Sequence, residues 1–216
     1  MSSLKRMRLV LLSALTCLCL IATGWLSPTL GRAAASLSPS TMGHAFQANT
    51  SDVFLGEALN SNLQQAQSVL MAQGAASTSL MSYVAVMSEE NVVPNSPDTL
   101  ARGAVGAVLS DNRLIVRGSF KNLSSPMRSY ESDPVSPPNP SITSAFHIHQ
   151  GSPDENGPFQ YALDVISDPM GREGSAAGEY TLTPEQLDAL SNNRLYVDLH
   201  TTRNRGGELR AILMPY

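Results

Sequence analysis

Cysteine is nearly missing from this chain of 216 residues; the two present, Cys17 and Cys19, both lie close to its start. They fall inside an apolar run from Leu9 to about Ala22, behind a basic cluster of Lys5, Arg6 and Arg8 and ahead of the small residues Ala33-Ala34-Ala35. That order reads as a secretory signal peptide over residues 1–35, with Ser36 as the first mature residue, the alternative being an uncleaved anchor. Cleavage would remove both thiols. Disulfides and thiolate chemistry are then excluded, and the fold has to hold by its core alone. A long apolar run is lacking too. The stretch is shorter than the roughly 20 residues of a membrane span, so the expectation is no stable membrane insertion after cleavage and a secreted, periplasmic or otherwise extracytoplasmic location.

Basic residues are also scarce. There are 14 Lys and Arg against 18 Asp and Glu, and four of the basic ones (Lys5, Arg6, Arg8, Arg32) leave with the signal, so the mature balance is 10 minus 18, or −8. An acidic domain without a basic stripe argues against nucleic acid as a partner and against attraction to anionic membranes. No Gly-x-Ser-x-Gly elbow and no Gly-rich phosphate loop occur, and the chain has no βαβ rhythm. These absences exclude a serine-hydrolase elbow and a nucleotide-binding fold.

Residues 36–78 read as a lead-in followed by a helix. Ser36 to Thr50 is rich in Ser, Thr and Ala and carries one histidine, His44. From Val53 to Gln73 the apolar residues Leu55, Leu59, Leu63, Ala66, Val69 and Leu70 recur near helical spacing, with Asp52 placed to cap the start and Gly74 to end it. This predicts an amphipathic helix packed on the edge or end of the domain that follows, the alternative being an interaction or oligomerisation helix.

Residues 79–216 read as strands. Leu80–Met87 is apolar on both sides, as a covered strand would be. Arg102–Leu109 and Arg113–Lys121 flank Ser110-Asp111-Asn112 as a hairpin, with Leu114, Val116 and Phe120 facing in. Ser124–Ser141 is a proline-rich connection, and Gly171–Gly178 reads as a Gly/Ala loop. Phe159–Val165 alternates as one strand. Thr183-Pro184-Glu185-Gln186 is a helix start with a capping box. Arg194–His200 and Glu208–Met214 form a final hairpin around Thr201–Gly207. About eight strands in such a pattern predict a mainly β fold, an antiparallel Greek-key β-sandwich or barrel, immunoglobulin-like or superoxide-dismutase-like, behind an N-terminal amphipathic helix.

The densest chemistry lies in three alternating runs. In Ser144–Gln150, Phe146 and Ile148 take one face and His147 and His149 the other; in Tyr196–His200, Val197 and Leu199 oppose Asp198 and His200; in Glu208–Leu213, Leu209, Ala211 and Leu213 oppose Glu208 and Arg210. If these strands are neighbours, one sheet face carries three imidazoles, two carboxylates and a guanidinium. Two readings follow. In one, His147, His149 and His200 form a three-nitrogen metal site for copper or zinc, with an open position and with Asp198 and Glu208 orienting ring nitrogens; Arg210 would disfavour the cation unless the carboxylates neutralise it. In the other, the imidazoles bond Asp198, Glu208 or the backbone, and Glu208 pairs with Arg210 or Arg203, as a polar network that fixes strand register.

The order Glu90…Val92-Val93-Pro94, Ala101-Arg102-Gly103, His147-Ile148-His149-Gln150-Gly151, Tyr180-Thr181-Leu182-Thr183, Leu195–Thr201 and Gly206-Gly207-Glu208-Leu209-Arg210 resembles a CHRD (chordin-type) domain over about Leu80–Met214, as in single-domain microbial members of that family. The early segment is longer than that family's Glu-Val-Pro-Pro, and Asp198 and Arg205 stand where it often has Asn and Pro. The resemblance implies an extracytoplasmic β-sandwich module without an assigned ligand. The His-x-His strand is also similar to that of copper/zinc superoxide dismutase, which needs more histidines than the three of this domain. The primary functional expectation is therefore a non-enzymatic module with a protein or glycan partner. The alternative is a copper- or zinc-binding metalloprotein on His147, His149 and His200, with superoxide-dismutase-like redox activity a weaker extension of it.

Overall fold

The structure, a computed structural model, describes residues 50–216; the expected signal peptide over residues 1–35, its two cysteines and His44 lie outside the described residues. No described helix is long and apolar enough to cross a membrane. The order of elements is α1 (Thr50–Ala72), β1 (Met81–Met87), β2 (Arg102–Ser110), β3 (Arg113–Lys121), β4 (Phe146–Gln150), β5 (Phe159–Ala162), β6 (Asp164–Ser167), β7 (Gly174–Thr181), α2 (Pro184–Ser191), β8 (Leu195–Leu199), β9 (Leu209–Ile212) and β10 (Met214–Pro215).

Two antiparallel sheets, β10-β1-β2-β3-β7-β6 and β5-β4-β8-β9, face each other as a β-sandwich. The pairings β3–β7 and β4–β8 join strands that are not consecutive, which is the Greek-key crossover. Alternation fills the space between the sheets: Ala85, Met87, Val105, Leu114, Val116 and Phe120 come from one, and Phe146, Ile148, Leu195, Val197, Leu199 and Leu209 from the other. Phe120 and Phe146 meet edge to face, with centroids 6.3 Å apart.

The single strand expected over Phe159–Val165 is two. β5 pairs with β4 in one sheet, and β6 pairs with β7 in the other. Leu163 marks the corner; its side chain is fully buried and its N–H donates to the Phe146 carbonyl. Leu213 does the same between β9 and β10 at the opposite side. Strands that switch sheets in this way close both lateral openings of a sandwich, and they raise the strand count to ten.

The expected Gly/Ala loop is instead the first half of β7, paired along its length with β3. The small residues are there for space. A Cβ on Gly174 would meet the Ile166 carbonyl oxygen at 2.3 Å, and one on Gly178 would meet the Tyr180 ring, which lies back over it. The proline-rich segment is a connection without strands between β3 and β4, as expected. Thr183 and Gln186 form the predicted capping box of α2.

Helix α1 packs on the open face of the six-stranded sheet rather than on its edge or end. Leu63, Ala66 and Leu70 cover Val108 and Ile115. Asn62, buried among them, donates to the Ala104 carbonyl (2.9 Å) and accepts from the Ser119 hydroxyl (3.1 Å). The cover reaches β2, β3 and Val84 of β1 but leaves Val86 exposed, so the outer face of β1 is only partly covered.

Two glycines give opposite predictions for this contact. A Cβ at Gly106 would lie 2.6 Å from the Leu63 backbone nitrogen, whereas one at Gly56, within α1, meets nothing within 4 Å. Gly106→Ala should therefore push the helix off the sheet and cost about 1–3 kcal/mol. Gly56→Ala should stabilise by about 0.5–1 kcal/mol through helix propensity. Thermal unfolding of the two variants against wild type checks the signs.

Candidate metal centre

The outward face of the four-stranded sheet carries the site. In the β4–β8 register His147 lies opposite Asp198 and His149 opposite Tyr196, and β8 in turn sets Asp198 opposite Arg210 on β9. Residues directly opposite in an antiparallel pair have adjoining side chains. His200 follows the end of β8 and is fixed by its N–H, which donates to the Ala145 carbonyl. The face is not a solvent surface: His147 is 2% exposed and Asp198 7%. It is roofed by Tyr130 from the proline-rich segment, whose ring is 5.4 Å from that of His147, and by Phe159, edge-on to both His147 and His149.

Each imidazole is held from behind by a main-chain carbonyl. His147 Nε2 donates to Ser144 O (2.6 Å), His149 Nδ1 to Gly157 O (3.0 Å) and His200 Nδ1 to Arg205 O (2.9 Å). A carbonyl only accepts, so the proton of each neutral ring sits on the outer nitrogen and the lone pair points inward. The three inward nitrogens surround one carboxylate oxygen. His147 Nδ1, His149 Nε2 and His200 Nε2 lie 3.6, 3.4 and 3.2 Å from Asp198 Oδ1, and the four donor atoms all fall within 4.8 Å of one another.

These separations are not hydrogen bonds. Four buried side-chain polar atoms lack a hydrogen-bond partner among the described residues, and three of them are His149 Nε2, His200 Nε2 and Asp198 Oδ1. Charge-assisted N–H···O bonds run at about 2.7–2.9 Å, and satisfying the oxygen in that way would need three imidazolium cations around one carboxylate. Burial pushes the His147 pKa down, which favours its neutral form. Burial alone would also lower His200, but the Asp198 carboxylate outweighs it and raises His200. Asp198 itself, which burial alone would raise, is held well below the usual carboxylate range by the imidazoles, His200 foremost. The Asp198 carboxylate thus favours positive charge on or beside the imidazoles.

Asp198 therefore stands among the donors rather than behind them. Glu208 and Arg210 do not. Glu208 is fully buried and pairs with neither Arg210 nor Arg203. Its two oxygens accept from the Thr99 hydroxyl, the Ser124 N–H and hydroxyl, the Thr201 hydroxyl and the Asn204 amide. It ties down the Thr201–Gly207 turn that presents the Arg205 carbonyl to His200. Arg210 is separated from the imidazoles by the Tyr196 ring, over which its guanidinium stacks at 3.7 Å. Tyr130, Tyr196 and Gly157 had no signal in the sequence as parts of a site. Tyr196 was legible only as the alternate neighbour of Asp198, and the other two lie in connections.

Burial alone would raise the Glu208 carboxyl, but the hydrogen bonds from Thr201, Ser124, Thr99 and Asn204 hold it below the ordinary glutamate range. A lowered native pKa gives stability that is complete above the unfolded value of about 4.3 and is lost as pH falls through the native value. Glu208→Gln, whose amide confronts donors with a donor, should cost about 1–3 kcal/mol at neutral pH. It should also flatten the loss of stability on acidification below about pH 5. Denaturant unfolding of both proteins across that range checks the sign.

A model of the CHRD domain matches residues 83–213, more than half of the chain. No curated protein and no solved structure matches it. The matched span runs from β1 to the corner after β9 and includes every donor of the histidine–aspartate cluster. The chain belongs to the CHRD domain family.

Proposed function

We propose that this is an exported binding module whose sandwich holds one zinc ion on His147, His149, His200 and Asp198. The observation that carries the reading is the inward convergence of three imidazole lone pairs on a sealed carboxylate oxygen with no hydrogen-bond donor of its own. The distances bear on the metal. Ligand bonds of about 2.0–2.1 Å in a tetrahedron place neighbouring donors about 3.3 Å apart. A square-planar set would instead put the oxygen about 2.8 Å from two nitrogens and about 4.0 Å from the third. The three oxygen–nitrogen separations, 3.2, 3.4 and 3.6 Å, lie near the tetrahedral edge, within a donor set gathered inside 4.8 Å. Zinc is the ion proposed, since imidazoles with one carboxylate are a donor set that zinc accepts.

With Asp198 as a fourth ligand the ion has no open coordination position, which is the pattern of structural rather than catalytic zinc. Its role is to pin strands β4 and β8 and the connections that carry the three carbonyls. The module then meets a protein or glycan through its surface, outside the cell membrane, as the signal-like N-terminus supports. Redox chemistry at the site has no support from a closed donor set of this kind.

The purified protein, loaded with zinc and dialysed, should retain one ion per chain by elemental analysis, and a His147→Ala/His149→Ala variant should retain none. Asp198→Asn should weaken affinity by more than the roughly 10–100-fold that losing a hydrogen-bonding neighbour of a ligand costs. Cobalt(II) in place of zinc should give the intense visible absorption of a tetrahedral site. Protons compete for the same lone pairs, and the raised pKa of His200 makes it the first to take one. Retained zinc should therefore fall as the pH is lowered and the imidazoles take up protons. Equal metal content in wild type and the double variant would overturn the reading.

A further inference from the structure

Behind His149 lies a second arrangement that the ion's own ligands do not explain. The Tyr196 ring is stacked on the His149 ring, centroids 5.2 Å apart and planes 9° from parallel. On its other side lies the Arg210 guanidinium, 3.7 Å from the ring centre. Arg210 is 3% exposed and makes no carboxylate ion pair among the described residues. Its Nη2 donates to the carbonyls of Glu155 (2.6 Å) and Ser152 (3.0 Å), and its Nη1 to the Asn156 amide oxygen (3.2 Å). All three acceptors belong to the turn that ends at Gly157. Gly157 in turn gives its N–H to the Tyr196 hydroxyl (3.0 Å) and its carbonyl to His149 Nδ1 (3.0 Å). A Cβ at Gly157 would fall 1.7 Å from the Gln150 carbonyl oxygen, so the turn can approach the strand this closely only with glycine there.

The contacts close a circuit. Arg210 holds the turn; the turn holds the outer nitrogen of His149; Tyr196, clamped between Arg210 and His149, fixes the plane of the ring and anchors the same glycine. A buried guanidinium spent on main-chain carbonyls is a rigid fork that a lysine cannot reproduce. A hydrogen bond to the outer ring nitrogen sets the tautomer and direction of a ligating imidazole. We infer that Arg210, acting through Tyr196 and the Ser152–Gly157 turn, is a positioning residue that aims His149 at the metal ion. The inference rests on the zinc reading above. The stacked Tyr196 ring also lets a fixed cation sit near the site without facing the metal directly.

The test is the rate at which zinc passes from the loaded protein to an excess of chromogenic chelator, together with the visible spectrum of the cobalt(II) form. Arg210→Met and Tyr196→Phe should each release zinc about 10–100-fold faster than wild type and shift the cobalt bands, because the His149 ring is freed to tilt. Arg210→Lys should not rescue. Thr183→Ala, which removes only the cap of α2 (about 1 kcal/mol), should release zinc at the wild-type rate. Wild-type release and spectrum in Arg210→Met and Tyr196→Phe would overturn the inference while leaving the zinc site standing. Release from Thr183→Ala as fast as from Arg210→Met would overturn it too, since the effect would then be general loss of stability. If Arg210→Met does not fold, Tyr196→Phe decides, because it removes a single hydroxyl and keeps the ring. A wild-type protein that binds no zinc would overturn both readings at once.

Discussion

Three imidazole lone pairs directed at one buried carboxylate oxygen are unfavourable company unless a cation sits among them. Acceptors facing acceptors in a low-dielectric interior repel one another, and His149 Nε2, His200 Nε2 and Asp198 Oδ1 have no hydrogen-bond donor among the described residues. The fold nevertheless brings them together with care, since each ring is turned by a main-chain carbonyl so that its bare nitrogen points inward. The connections around the site follow from this requirement. The carbonyls come from Ser144 just before β4, from Gly157 in the turn after it and from Arg205 in the turn after β8. Glu208 and Arg210, which looked from the sequence like parts of the site, are what hold two of those turns in place.

The sandwich beneath serves as a rigid platform. The same alternation that drives Phe146, Ile148, Val197 and Leu199 into the core sends His147, His149, Asp198 and His200 to the other face. A one-residue slip of β4 against β8 would bury the imidazoles in the core and expose its phenylalanine. Register is protected at the sides, where β5–β6 and β9–β10 bend around Leu163 and Leu213 and close the openings between the sheets. On the far side α1 covers the six-stranded sheet, and Gly106 and Asn62 allow and direct its close approach. A fold without disulfides among its described residues is thus held by a two-faced core, with the proposed ion as its one local clamp.

What could be read early and what could not divide along physical lines. Strand faces are legible because side chains alternate with a period of two whatever the tertiary context; this puts the three histidines and Asp198 on polar strand faces, and the pairing of β4 with β8 makes those faces one. The capping box at Thr183 and Gln186 was legible because it is closed within four residues. The first half of β7 was not. Its Gly and Ala residues look like a loop until Phe120 and Tyr180 are seen to need the space above them. The break of one alternating run into β5 and β6 was also hidden, because alternation continues through Leu163 while the sheet to which the strand belongs changes.

Periodicity and local hydrogen bonding along the chain suffice for the mainly β class and for the inward and outward faces of each strand, and so for three histidines and an aspartate on polar strand faces. The pairing of β4 with β8 gathers those side chains, and long-range contacts put the aspartate among the imidazoles rather than behind them, tie Glu208 to a turn, screen Arg210 with a tyrosine and roof the face. Those outcomes depend on which carbonyl, ring or hydroxyl a distant connection brings within about 3 Å, and no spacing along the chain encodes that distance.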